Sequence, residues 1–96
     1  MLEKDIERKL VSEAKKRGCI PVKLLSASFN GLPDRLILSP GGKCSFIELK
    51  RPGEKPRPLQ LSRHRLLRQL GFKVFVLDNI ADTQKILEEV MSDEAT

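Results

Sequence analysis

Three residues, Asp34, Glu48 and Lys50, have types and spacing that suit one kind of chemistry. Residues 34–39 and 43–50 are two extended-type stretches joined by Pro40-Gly41-Gly42, a pattern that predicts a β-hairpin. Asp34 opens one strand and Glu48 comes late in its antiparallel partner, so the two lie near each other across the ladder. Glu48 and Lys50 are two apart and project from one face of their strand, with Leu49 buried on the other. Two carboxylates and one ammonium then meet at one end of a sheet, and burying such charges is costly unless something pairs them. Mg²⁺ would do so, because it takes hard oxygen ligands, often one or two carboxylates completed by water and substrate phosphate. Phosphodiester hydrolysis needs this set. A metal polarises the phosphate and helps to generate hydroxide, while a cation such as Lys50 holds the attacking water or offsets charge on a phosphorane-like centre. Spacing alone serves a plainer arrangement equally well, with Asp34 capping the turn and Glu48 and Lys50 in an exposed polar stripe.

The charge pattern bears on the partner. The formal net charge is +5, and Lys50, Arg51, Lys55, Arg57, Arg63, Arg65, Arg68 and Lys73 fall in one stretch whose single acid is Glu54. From Asp78 onward the balance reverses, with Lys85 the lone base. This segregation predicts a cationic face that attracts phosphate, although a solvated helix face would carry similar charges. Arg51, Lys55, Arg57, Arg63 and Arg65 are the expected nucleic-acid contacts as a group. His64, among arginines on a helix, reads as a solvated or phosphate-contacting side chain rather than a general base. Ser26, Ser28 and Asn30 are candidates to line the DNA side of a loop. Trp and Tyr are absent and there are only 4 Phe, so a platform for stacking unpaired bases is not expected. Backbone phosphates should dominate, which favours duplex shape over base sequence.

The elements that must position these residues follow from the periodicity. A chain of 96 residues suits one domain with one modest core, here 1–96 with a tail that frays after about residue 92. No apolar run approaches the roughly 18 residues of a membrane span, and the charged start Met1-Leu2-Glu3-Lys4-Asp5 does not read as a signal peptide. A cytoplasmic setting is therefore expected, in a bacterial cell or for a phage or virus protein inside its host. Cys19 and Cys44 are expected as buried free thiols in a reducing compartment, and two Cys with one His are too few for a zinc site. Ile6, Leu10 and Ala14 mark a helix over 3–17 ended by Gly18. Residues 20–25 read as a short strand that Pro21 assigns to an edge or a strand start. Proline-rich Arg51 to Pro58 is a loop. A helix follows over 59–70 with Leu59, Leu66, Leu67 and Leu70 on one side, then a strand over 72–77, then a helix capped by Asn79 with Ile80, Ile86 or Leu87, Val90 and Met91 inward. The order αβββαβα, with a helix between the third and fourth strands, implies an α/β fold: a mixed four-stranded sheet covered by helices.

Gly31-Leu32-Pro33-Asp34 followed by Phe46-Ile47-Glu48-Leu49-Lys50 resembles the PD-(D/E)xK signature of the restriction-endonuclease-like superfamily. Within it, the string Gly-Leu-Pro-Asp…Ile-Glu-Leu-Lys-Arg-Pro…Gln…Leu-Gly is similar to a stand-alone VRR-NUC domain, over Glu3 to about Leu77. The resemblance implies a restriction-endonuclease-like fold and a metal-dependent endodeoxyribonuclease. It implies Asp34 and Glu48 as metal-binding acids, with the carbonyl of Leu49 completing the site. Lys50 matches the catalytic lysine, Gln60 the glutamine that orients water or the metal shell, and Glu7 the acid of the first helix, with Glu3 as its alternative on the same helix face. Mg²⁺ is the implied cofactor, with Mn²⁺ a substitute. Stand-alone domains of this kind resemble archaeal Holliday-junction resolvases in fold and often act as dimeric junction-resolving nucleases, so the resemblance implies DNA repair, with branched or Holliday-junction DNA and a second copy of the chain as partners. A flap, fork or single-strand nuclease is the alternative within this chemistry, and a non-catalytic DNA-binding module the alternative outside it.

Overall fold

The computed structural model describes residues 2–25 and 28–93. Ser26 and the residues after Asp93 lie outside that range, so expectations about the DNA side of Ser26 and about the tail concern residues not described. The elements run α1 (Glu3–Lys16), β1 (Ile20–Lys23), β2 (Arg35–Ser39), β3 (Lys43–Leu49), α2 (Pro58–Gln69), β4 (Lys73–Leu77), a 3₁₀ turn (Ile80–Asp82) and α3 (Thr83–Met91). The expected order αβββαβα holds. The strands form one sheet in the order β1-β2-β3-β4, antiparallel at the first two seams and parallel at the third. A parallel neighbour cannot be reached by a tight turn, and α2 makes the crossing from β3 to β4. Pro21 sits in β1, an outer strand, where a missing amide hydrogen breaks no inner ladder.

The core lies on one face of the sheet. Ile37, Ile47, Leu49 and Leu77 point there, and Ile6, Leu10 and Ala14 of α1 with Ile86, Leu87 and Val90 of α3 close over them. Glycine supplies the stop for α2: Gly71 adopts φ +99°, and the Gly71 and Phe72 amides donate to the Arg68 and Leu67 carbonyls. Lys43 and Lys73 reach from the sheet to the end of α3 and donate to the carbonyls of Met91, Glu89 and Ser92. Asn79 caps the 3₁₀ turn rather than α3 itself, accepting from the Ala81 amide at 3.0 Å. No described helix is long and apolar enough to cross a membrane. Both cysteines are free thiols; Cys19 is buried, while Cys44 is only half-buried.

The opposite face departs from the expected leucine packing. Of the four leucines read as the inner side of α2, only Leu67 is buried, and its buried companions are Gln60 and His64. These three are spaced by four and three, so they form one helix face as surely as the leucines do. Leu59, Leu66 and Leu70 occupy a flank and stay exposed. That flank turns toward β2, because Arg63 donates to the Asn30 carbonyl and Leu59 crowds Gly31 in the loop preceding β2.

Candidate active site

The site grows from the end of the β2–β3 hairpin. Arg35 pairs with Ile47, and continuing that register by one residue sets Asp34 opposite Glu48. The Asp34 carboxylate does not cap its own turn. It accepts the Leu49 amide at 2.8 Å, and its backbone carbonyl accepts the Leu24 amide at 2.9 Å. One acid thus ties the ends of β1 and β3 together. Leu49 turns its side chain into the core, and its amide serves Asp34.

Glu48 is 1% exposed, so its environment decides its charge. Burial raises its pKa to about 8, reinforced by the like charge of Asp34 and the hydrogen bond with it, against which the Lys50 charge works. Two carboxyl groups at hydrogen-bonding range need either a proton or a cation between them. Lys50 is 8% exposed on the same strand face as Glu48, and among the described residues its ammonium forms no ion pair with a carboxylate.

Helix α2 supports Glu48 from the side. The Gln60 amide oxygen accepts the Arg57 N–H at 2.8 Å, which is half of a capping box at the helix start. With its oxygen engaged there, the amide nitrogen faces the sheet and donates to Glu48 Oε2 at 3.0 Å. The requirement for a helix cap therefore orients the group that steadies the acid. One turn later His64 Nε2 lies 3.5 Å from Glu48 Oε1, with the imidazole 1% exposed. His64 is thus not a solvated or phosphate-facing side chain, as its arginine neighbours suggested. Burial lowers its pKa, as do the charges of Arg68 and Lys50.

The acid of the first helix divides between two residues. Asp34 and Arg35 project to opposite faces of β2, so the helical partner of one is not the partner of the other. Glu7 meets Arg35: its Oε2 accepts from the guanidinium Nε and Nη2 at 3.1 and 2.9 Å, while Nη1 donates to the Pro21 carbonyl. The expectation of Glu7 in the metal set therefore meets a carboxylate already engaged by an arginine. Glu3, one turn earlier, is exposed at the helix start; partial desolvation and then the Asp34 charge raise its pKa, with Lys50 opposing, so its electrostatic neighbours are those of the site.

Arg51, Lys55, Arg57 and Arg65 are exposed, and Arg63 is half-buried. Arg51 is partly engaged by Glu54, whose pKa it lowers, and Arg63 stacks on Phe29 at 4.0 Å from the ring centre. Sequence reasoning missed Arg35 and the burial of His64. The signals were there: alternation sends residue 35 away from residue 34, and residue 64 is one helical turn beyond Gln60.

A metal fits this donor set. Among the described residues no group of three or more His, Cys, Asp or Glu side chains forms a cage. Two facing carboxyl groups, with the pKa of Glu48 raised by burial and by the Asp34 charge, match Mg²⁺, which keeps several waters and takes few protein ligands.

Comparisons with known proteins bear on the same arrangement. No protein-family model matches the chain. It is 49% identical over 88 residues to "Putative nuclease p44" of Acyrthosiphon pisum secondary endosymbiont phage 1, covering 92% of this chain and 94% of that protein. Among solved structures it is similar to a "VRR_NUC domain", with a TM-score of 0.83 and 30% identity over 90% of this chain and 94% of the other.

Proposed function

This chain belongs to the VRR-NUC family of nucleases, and from that premise we propose that it is a metal-dependent endonuclease that cuts branched DNA as a homodimer. The observation that carries the reading is the facing pair Asp34 and Glu48 at a sheet end, with Lys50 on the same strand face. Asp34 and Glu48 would hold Mg²⁺ or Mn²⁺, with the Leu49 carbonyl and, from α1, Glu3 in place of Glu7. When bound, the ion polarises the scissile phosphate and lowers the pKa of water.

The chain's own residues do the rest. Gln60 holds Glu48 by one oxygen and keeps it turned toward Asp34. Asp34 is fixed by the Leu49 amide, so neither acid has to be ordered when substrate arrives. Lys50 is buried on the strand face of Glu48, whose charge it bears on, suited to orient the attacking water or to offset charge on the phosphoryl oxygens. The exposed Arg51, Lys55, Arg57 and Arg65, with Arg63, supply phosphate contacts.

Asp34→Ala and Lys50→Ala should each lower the cleavage rate by about 10²-fold or more while junction binding persists. Chelator should abolish cleavage, and Mg²⁺ or Mn²⁺ should restore it. Full activity in either variant would remove that residue from the mechanism. Cleavage compared on four-way, flap, forked, linear and single-stranded DNA tests the substrate, with the four-way junction expected to be cut fastest.

Support for the dimer comes from an apolar surface on the α2 side of the sheet. Ile20 and Leu38 there are exposed, as are Leu66, Leu70 and Phe72 beside them, and Phe72 packs edge-on to half-buried Phe46. Such a surface suits a self-complementary two-fold contact, and two sites are what paired cuts in opposite strands require.

A further inference from the structure

Position 64 lies on the buried face of α2 between Gln60 and Leu67, where helix packing alone would favour an apolar residue. An imidazole buried there costs free energy unless it makes a hydrogen bond. The polar atom facing it is Glu48 Oε1 at 3.5 Å, while the other oxygen of that carboxylate takes the Gln60 amide. Residues 60 and 64 are one turn apart on a single helix, so their spacing is fixed by the helix and not by a loop.

We propose that His64 is a positioning residue: together with Gln60 it grips both oxygens of Glu48 and so sets how that acid meets a divalent metal ion. The inference rests on the metal-dependent reading above. With a metal ion bound Glu48 is ionised and only accepts, so a neutral imidazole would serve it through an Nε2–H. One donor alone would leave the carboxyl group free to turn about the bond that joins it to the side chain. A second donor on the other oxygen removes that freedom, much as partners behind a metal ligand fix its orientation.

The test compares His64→Leu, which keeps bulk and loses the donor, with His64→Gln, which retains an N–H of similar reach. Mn²⁺ binding to the DNA-free protein is measured by calorimetry, beside a thermal melt without metal and the Mn²⁺ concentration that gives half-maximal cleavage. His64→Leu is expected to weaken Mn²⁺ binding by about tenfold and to raise the half-maximal concentration in parallel. His64→Gln should recover most of both, and DNA affinity without metal should change less than about twofold in either. Because His64→Leu can fail to fold, His64→Gln also stands alone: Mn²⁺ binding weakened by about tenfold in a folded Gln variant overturns the proposal. A folded Leu variant that binds Mn²⁺ like the parent overturns it too. A parent that binds no Mn²⁺ and cleaves without metal defeats the metal-dependent reading itself, and the assignment of His64 with it.

Discussion

At the scale of single residues, the protonation of buried Glu48 gives a testable signature. Its carboxyl group has a pKa of about 8 in the folded, metal-free protein against an ordinary 4.5. The folded state therefore holds that proton more tightly than the unfolded chain does. The associated stability is fully present below about pH 4.5 and is lost as pH rises through about 8. Melting temperatures of metal-free protein should fall across this window, and Glu48→Gln should flatten the decline. An unchanged slope in that variant would assign it to other groups. Mn²⁺ should displace the proton, so calorimetry in buffers of different ionisation enthalpy should detect proton release near neutral pH. The facing of Asp34 and Glu48 was legible in the sequence because hairpin register is a local property, set once the turn is recognised. Arg35 and His64 were harder to read, since their roles depend on what lies across the sheet and under a helix. Two glutamates a turn apart on α1 look alike in sequence, and only the side to which Arg35 points tells them apart.

Elements were found in the right order and, except for the start of α3 at Thr83, with ends within two residues, because periodicity and the Gly and Pro stops act locally. The inner face of α2 was the exception. Apolar spacing nominated the leucines, but the helix turns Gln60 and His64 inward because Glu48 provides partners for both. Helix α1 makes a clearer case of side-chain pairing. Glu13 accepts from Lys16 and Arg17 near the helix end, which lowers its pKa to about 2. A lowered acid contributes stability above about pH 4.5 that is lost as pH falls toward 2. Urea melts at pH 6 and pH 3 should thus differ less for Glu13→Gln than for the parent. Core contacts under α1 and α3 are fully buried, so Leu10→Ala or Leu87→Ala should cost about 2–5 kcal/mol in the same measurement. A loss below about 1 kcal/mol would mean that this side of the sheet is loosely packed.

For the molecule as a whole, one side of the sheet is sealed by α1 and α3, while the other is only partly covered by α2. Sequence pattern pointed to four strands with helices but not to which surface stays open, because exposure depends on how far one short helix reaches across a sheet. Leu66→Glu or Leu38→Glu should give a monomer by sedimentation, with nicking retained and coordinated cuts in opposite strands lost. Dimers that persist in both variants would move the contact elsewhere. Affinity for junction DNA should fall steeply as salt rises, through the exposed arginines and Lys55. The two-sided use of α2 has a last consequence. Gln60 and His64 on its inner face meet the acid that would carry the metal, and Leu66 and Leu70 on its flank lie exposed on the surface proposed for a partner. In the metal-loaded dimer proposed above, the ion and the partner would then act on two sides of one helix. Whatever factor the ion adds to the association constant of two subunits, pairing must return to the affinity for the ion.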